Sequence, residues 1–338
     1  MFRVVGEGAT EKEQERFWKS EAATINAAIK RKEGLLGQDD TKKDLTNNSP
    51  PVLPKPGPGP TITETNARVD YDPHRPPERP ASKRSETLLD ELREAARDFL
   101  GAFDPKDNAH RKVRDQAERY LKQLELENPD VTVIFGLGVR LGNAVFADLE
   151  RQKMIDSIDR EPEFTQTQRE ALKSSVDLHA IYIATDPDGV ELIEAAERDP
   201  FMAQEVAPLK KQLAAVVDDL DRARNLARDR LLEFNRGSVE EMGSGPNPAR
   251  GVPIAKNTVQ RTIIFLAQAA LGAFVGKVAL GTGLGQEAVQ IATPLADKAI
   301  RFFLENAETL RLLAASAREG FGFLGPLIDY IKRKTGRA

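Results

Sequence analysis

From Leu88 to Ala227 apolar residues return every third or fourth position, and most runs are cut by a proline that follows an acid or an asparagine. That period puts the apolar side chains on one face of a helix. The residue before each proline is pushed out of the helical region of backbone space. The stretch can therefore fold into little other than a series of short helices.

Leu88, Leu92, Ala95, Phe99 and Phe103 form the first stripe, which ends at Asp104-Pro105. Val113, Ala117, Tyr120, Leu121 and Leu124 form the second, closed by Asn128-Pro129. A third over 137–159 carries Leu137, Leu141, Val145, Leu149 and Ile155 and stops at Glu161-Pro162. Thr165 and Gln168 have capping-box spacing and open a fourth helix through Leu172, Val176, His179 and Ile183. After the turn Asp186-Pro187-Asp188-Gly189, with Asp188 expected as a cap, a short helix through Leu192 and Ile193 reaches Asp199-Pro200. Pro208 suits the first turn of the next helix, since its missing N–H has no intrahelical partner there. Leu209, Leu213, Val216, Leu220, Ala223 and Ala227 then alternate four and three apart, a short coiled-coil-like seam. Packing within its own bundle is the favoured reading of that seam.

The flanks read differently. Residues 1–34 are expected to hold an amphipathic helix, with Thr10 and Glu13 at capping-box spacing and Trp18, Ala22, Ile25 and Ile29 as an interaction stripe. Residues 35–85 contain Pro50, Pro51, Pro54, Pro56, Pro58, Pro60, Pro73, Pro76, Pro77 and Pro80. With little apolar periodicity to bury, this stretch is expected to be a disordered linker. Within it, Pro51-Val52-Leu53-Pro54-Lys55 resembles a polyproline ligand, although a plain spacer is the preferred reading. A second linker is expected over 236–255, rich in Gly, Pro, Ser and Asn, between a body at 86–235 and a C-terminal module at 256–338. The predicted fold class is all-α: a helical bundle body and a C-terminal helical module behind a disordered proline-rich tether.

Charge divides along the same lines. Residues 86–235 carry 32 acidic and 21 basic side chains, net −11, and residues 256–338 carry 6 and 11, net +5. The basic module can lean on the acidic one or face a polyanionic or membrane surface. From Thr262 to Gln286 only Lys277 is charged. A spanning helix needs about 20 mostly apolar residues, and a central lysine costs about 2.5–3.5 kcal/mol on insertion scales. The expectation is a packed hairpin in which Val259, Ile263, Leu266, Ala270 and Phe274 meet Leu295, Ile300, Phe303 and Leu304. Gly272 and Gly276 are read as the point of close helix packing.

Chemistry-bearing motifs are sparse. Asp130–Phe135 reads as strand-like, and Gly136, Gly138 and Gly142 follow it. Their spacing is one residue off the dinucleotide fingerprint, and no second strand with a ribose-binding acid follows. The Asp186–Gly189 turn lacks the bidentate acid of a calcium loop, because Ala195 stands there. His74, His110 and His179 are scattered, and the absence of cysteine excludes a disulfide framework and a thiolate site. No catalytic residue, cofactor or metal ligand is assigned, and the enzyme question stays open without support. The reading is a non-catalytic interaction or scaffold protein with a protein partner or a homo-oligomer, cytoplasmic, and with no basis for a nucleic-acid partner. The alternative is a membrane-acting protein whose helices at about 259–286 insert in or lie on a bilayer.

Overall fold

Helix is the architecture throughout, as the spacing predicts. The structure, a computed structural model, describes residues 49–77, 81–105, 110–154, 164–198, 203–275, 293–317 and 320–337. Among these, eleven helices and one two-stranded hairpin are present. The Trp18, Ala22, Ile25 and Ile29 stripe, together with Gly276 and Lys277, lies outside the described residues.

Helix α1 (Lys83–Gly101) starts at Ser82, whose hydroxyl accepts from the Ser85 N–H. It buries Leu89, Leu92, Ala96 and Phe99 against α2 (Arg111–Leu124) and α4 (Gln166–Ile183). The capping box at the head of α4 is formed, with Thr165 and Gln168 each satisfying a backbone N–H of the other. Helix α3 (Val131–Met154) begins earlier than its apolar stripe suggests, and Val131–Phe135 is helical rather than strand-like. Asp130 decides this, because its carboxylate accepts from the Thr132 N–H at 2.7 Å and the Thr132 hydroxyl at 2.6 Å, capping the first turn. Helix α5 (Pro187–Arg198) opens two residues earlier than expected. Its cap is Asp186, which accepts from the Asp188 N–H at 2.9 Å. Helix α6 (Ala203–Arg222) likewise starts upstream of its proline, so Pro208 sits inside the helix and removes one ladder hydrogen bond. Its seam is buried in its own chain: Leu209, Leu213, Val216 and Leu220 face α7 (Asp229–Glu240), α8 (Gly251–Val275) and α10 (Ala307–Ser316).

Helix α8 is the axis of the fold. It contacts α3, α5, α6, α7, α9 (Thr293–Glu305), α11 (Leu324–Thr335) and the hairpin. Val259, Ile263, Leu266 and Ala270 are fully buried, as are Leu295 and Phe303 of α9 opposite, so the expected pairing of these two helices is present. The 236–255 linker is not: α7 runs to Glu240 and α8 starts at Gly251, and residues 50–338 form one compact unit rather than two modules. Gly272 is a second correction. It is exposed, and among the described residues a side chain there would meet nothing within 4 Å, so it packs closely on none of the described helices.

The largest departure lies in the proline-rich stretch. Residues 50–77, expected to be part of a disordered linker over 35–85, form an ordered strap on the helices. Its hairpin pairs β1 (Thr61–Glu64) antiparallel with β2 (Val69–Asp72), Thr61 opposite Asp72 and Glu64 opposite Val69. Asn66 and Ala67 both take positive φ, 56° and 55°, and Thr65 and Arg68 exchange backbone hydrogen bonds across them. That is a two-residue turn whose twist suits a hairpin. The other edge of β2 is also occupied, since the Val69 N–H donates to the Leu226 carbonyl at 2.8 Å and the Arg228 N–H to the Val69 carbonyl at 2.9 Å. Farther on, the Asp130 N–H donates to the Pro73 carbonyl and the Arg75 N–H to the Asn128 carbonyl.

Candidate functional site: the strap and its ledge

Proline fixes the backbone extended and withholds donors, but it leaves every carbonyl free. Along Pro51–Pro60 those carbonyls are read by side chains of α8. Asn257 Nδ2 donates to the Pro58 carbonyl at 2.9 Å, and Arg261 Nε donates to the Gly57 carbonyl at 2.8 Å. The two donors are four residues apart, so one helical face presents both. Leu53 and Pro56 are buried while Val52 and Lys55 are exposed, and Pro58, Gly59 and Pro60 are all buried as the segment runs into the hairpin. The glycines make room. A side chain at Gly57 would begin 2.6 Å from Asn257 Nδ2, and one at Gly59 3.1 Å from Arg261 Cδ. The Pro-Gly-Pro-Gly-Pro run is thereby accounted for: prolines hold the segment open and glycines let the donors reach it.

The hairpin beside this ledge is clamped by charge and aromatic rings. Asp70, buried, accepts from Arg230 Nη2 at 2.8 Å, and the same guanidinium donates to the Tyr71 carbonyl at 2.7 Å. The Arg230 guanidinium carbon lies 4.8 Å from the centre of the Tyr71 ring, which in turn lies 5.2 Å from that of Phe234. Arg140 covers Phe234 at 5.1 Å, completing a stack of cation, ring, ring and cation from the surface into the core. Arg140 is nine-tenths or more buried and donates to the Phe234 carbonyl at 2.5 Å and to Ser238 Oγ at 3.1 Å. Burial lowers its guanidinium to about 10, which leaves it charged at neutral pH. Lys298 of α9 holds the hairpin tip, its Nζ donating to the Ala67 and Asn225 carbonyls at 2.9 Å each.

The remaining clusters have a structural explanation. His110 Nδ1 and Asp148 Oδ2 meet at 2.5 Å, both buried, and Phe103 and Phe164 pack on the imidazole. His179 shares a 2.7 Å hydrogen bond between its Nδ1 and Tyr120 Oη, and its ring fills the space that a side chain at Gly138 would need. This is the reason for a glycine there: Gly138 admits a histidine ring and not a pyrophosphate. His74, half-exposed, pairs with Asp72 in the strap. Arg75 ends the strap on Asp186 at 2.7 Å, and beside it Ser85, Arg93 and Tyr182 line a cleft of about 280 Å³. Arg93 is already committed to the Leu124 and Leu126 carbonyls at the end of α2. No group of three or more potential metal ligands occurs among the described residues.

One helix among the described residues is long and apolar enough to cross a membrane, and it is Val131–Arg151, with a mean hydropathy of 1.4 and two-thirds of it buried in the fold. The segment singled out by sequence, 262–286, is helical as far as Val275, and its apolar residues through Leu271 are buried. Sequence reasoning missed Asn257 and Arg261, since an asparagine and an arginine on a helix carry no signal of a carbonyl 199 and 204 residues away. The strand pattern Thr61-Ile62-Thr63 and Val69-Asp70-Tyr71 around Asn66 was available and was outweighed by the prolines. Comparison of the chain with protein-family models, with curated proteins and with solved structures finds no match.

Proposed function

We propose that this chain is a non-catalytic interaction protein, a helical scaffold whose working surface grips an extended proline- and glycine-rich segment. The observation that carries the reading is the α8 ledge, where two side chains on one face donate to the carbonyls of Gly57 and Pro58. A pre-extended proline-rich segment suits recognition because little conformational entropy remains to be lost on binding. The cysteine-free composition suits a reducing compartment and supports the cytoplasmic placement. The test is amine cross-linking of the full chain in its native extract followed by mass spectrometry. Stoichiometric cross-links to another chain, or to a second copy, support the scaffold. Migration as an isolated 37.3 kDa chain with and without cross-linker refutes it.

A further inference from the structure

We infer that the end of the molecule formed by the last turns of α8 and α11 docks on a membrane surface rich in anionic lipid, a role separate from that of the ledge. Lys332, Arg333 and Lys334 fill the last turn of α11 and Arg337 follows, four cations in six residues. Arg333, Lys334 and Arg337 are exposed, and Lys332 is half-buried. Between residues 320 and 337 the one acid is Asp329, and Arg311 of α10 already holds it. Among the described residues Lys332, Arg333 and Arg337 make no ion pair. Cations at a helix end commonly serve its last carbonyls. Here the backbone does so itself. Gly336 takes a φ of 67° and donates its N–H to the Arg333 carbonyl, while the Arg337 N–H donates to the Lys332 carbonyl at 3.1 Å. The four charges exceed what the helix end uses.

The surface beside them is uncharged. The Phe274 ring stands 6.2 Å from that of Tyr330, edge to face, so the end of α8 adjoins the basic turn. There Gly272 and Ala273 are exposed and Phe274 is half-buried, and α8 carries no charge from Thr262 to Val275. Cations beside an uncharged, partly apolar rim fit a lipid headgroup layer, where phosphates meet the charge and the rim rests at the acyl boundary. A nucleic acid fits less well, since it rewards exposed rings on which bases stack. Tyr330 is buried, and Lys334 Nζ lies 5.5 Å from the centre of its ring. Because Val259, Ile263, Leu266 and Ala270 are buried in the core, the contact lies on the bilayer and does not cross it.

The test is flotation of the full-length chain with vesicles of phosphatidylcholine alone and of phosphatidylcholine and phosphatidylserine in equal parts. At low salt the chain should float with the mixed vesicles only, and added salt should release it. Each cation at such a surface is worth about fivefold in partitioning, so the double variant Arg333→Glu, Lys334→Glu should lose at least about 25-fold. A control with the same net charge, Arg84→Glu with Lys112→Glu at two exposed positions elsewhere, should float like wild type. Circular dichroism and cooperative melting check both, and Arg333→Gln with Lys334→Gln replaces the reversal should that chain fail to fold. Failure to float with the mixed vesicles overturns the inference, and so does equal floating with phosphatidylcholine alone. Equal loss in the variant and the control also overturns it, because net charge and not this surface would then decide. Retention of a labelled single-stranded RNA that the double variant abolishes, with vesicles left unbound, gives the surface to nucleic acid and overturns it too.

Discussion

Asp130 is buried and the half-buried His179 has its ring packed against Gly138, and loss of solvation drives the two in opposite directions, which gives a sharp prediction about pH. The Asp130 carboxyl is pushed from 3.8 up to about 6, and the His179 imidazole is pulled from 6.5 down to about 4, chiefly by loss of solvation. Between pH 6.5 and 4 the unfolded chain binds a proton at His179 that the folded chain refuses, so this group weakens the fold as pH falls. Between pH 3.8 and 6 the folded chain keeps a proton at Asp130 that the unfolded chain releases. The stability due to Asp130 is therefore full below pH 3.8 and is lost as pH rises through about 6. Each effect amounts to about 3 kcal/mol at about 1.4 kcal/mol per pH unit. The two slopes nearly cancel from pH 4 to pH 6. Asp130→Asn keeps an oxygen for the Thr132 bonds and removes one slope. Its stability should fall by about 3 kcal/mol, relative to wild type, between pH 6 and pH 4. Urea unfolding followed by circular dichroism at half-unit pH steps, with a constant denaturant slope, measures this directly. Parallel stability curves for wild type and Asp130→Asn across that range would refute the argument.

Three further outcomes follow from contacts in the fold. Gly57→Val should destabilise by about 1–3 kcal/mol through its clash with Asn257, whereas Gly101→Ala, where a side chain meets nothing within 4 Å, should not; thermal melts compare them. Gly272→Ala should stabilise by about 0.5–1 kcal/mol, because the residue is exposed within α8, and a destabilisation measured by chemical unfolding would restore the close-packing role read from sequence. Tyr71→Leu should cost about 1–3 kcal/mol, since it removes a ring from between Arg230 and Phe234, and hydrogen exchange should speed up in β1 and β2 before it does in α8.

The helical stripes were legible because a 3.6-residue period is local and each stripe faces one core. Caps were legible where both partners lie within a turn, as at Thr165 and Gln168, and less so where two acids compete, as at Asp186 and Asp188. Val131–Phe135 misled because a β-branched run buried on all sides suits a strand or a core helix alike, and only the Asp130 cap separates them. The strap misled for a deeper reason. Proline density measures how poorly a segment can form its own hydrogen bonds, and it carries no information about whether distant donors will supply them. The supposed boundary near residue 245 failed similarly, since a glycine-rich stretch marks a change of direction, and α8 beyond it belongs to the same core as α3 and α6.

The strap also imposes an order on synthesis. Its segment leaves the ribosome early, yet Asn257 follows Pro58 by 199 residues and Lys298 follows Ala67 by 231. At about 5–20 residues per second, roughly 10–45 s pass before the last of these partners exists. During that interval the helices from α1 to α6 can pack locally and Pro73 and Arg75 can find Asp130 and Asn128, while the proline run at 50–60 waits for the donors of α8. A segment of ordinary strand composition left waiting so long would be a hazard for aggregation between nascent chains. Prolines at every second or third position, with glycine between them, keep it from pairing with a neighbour until α8 arrives.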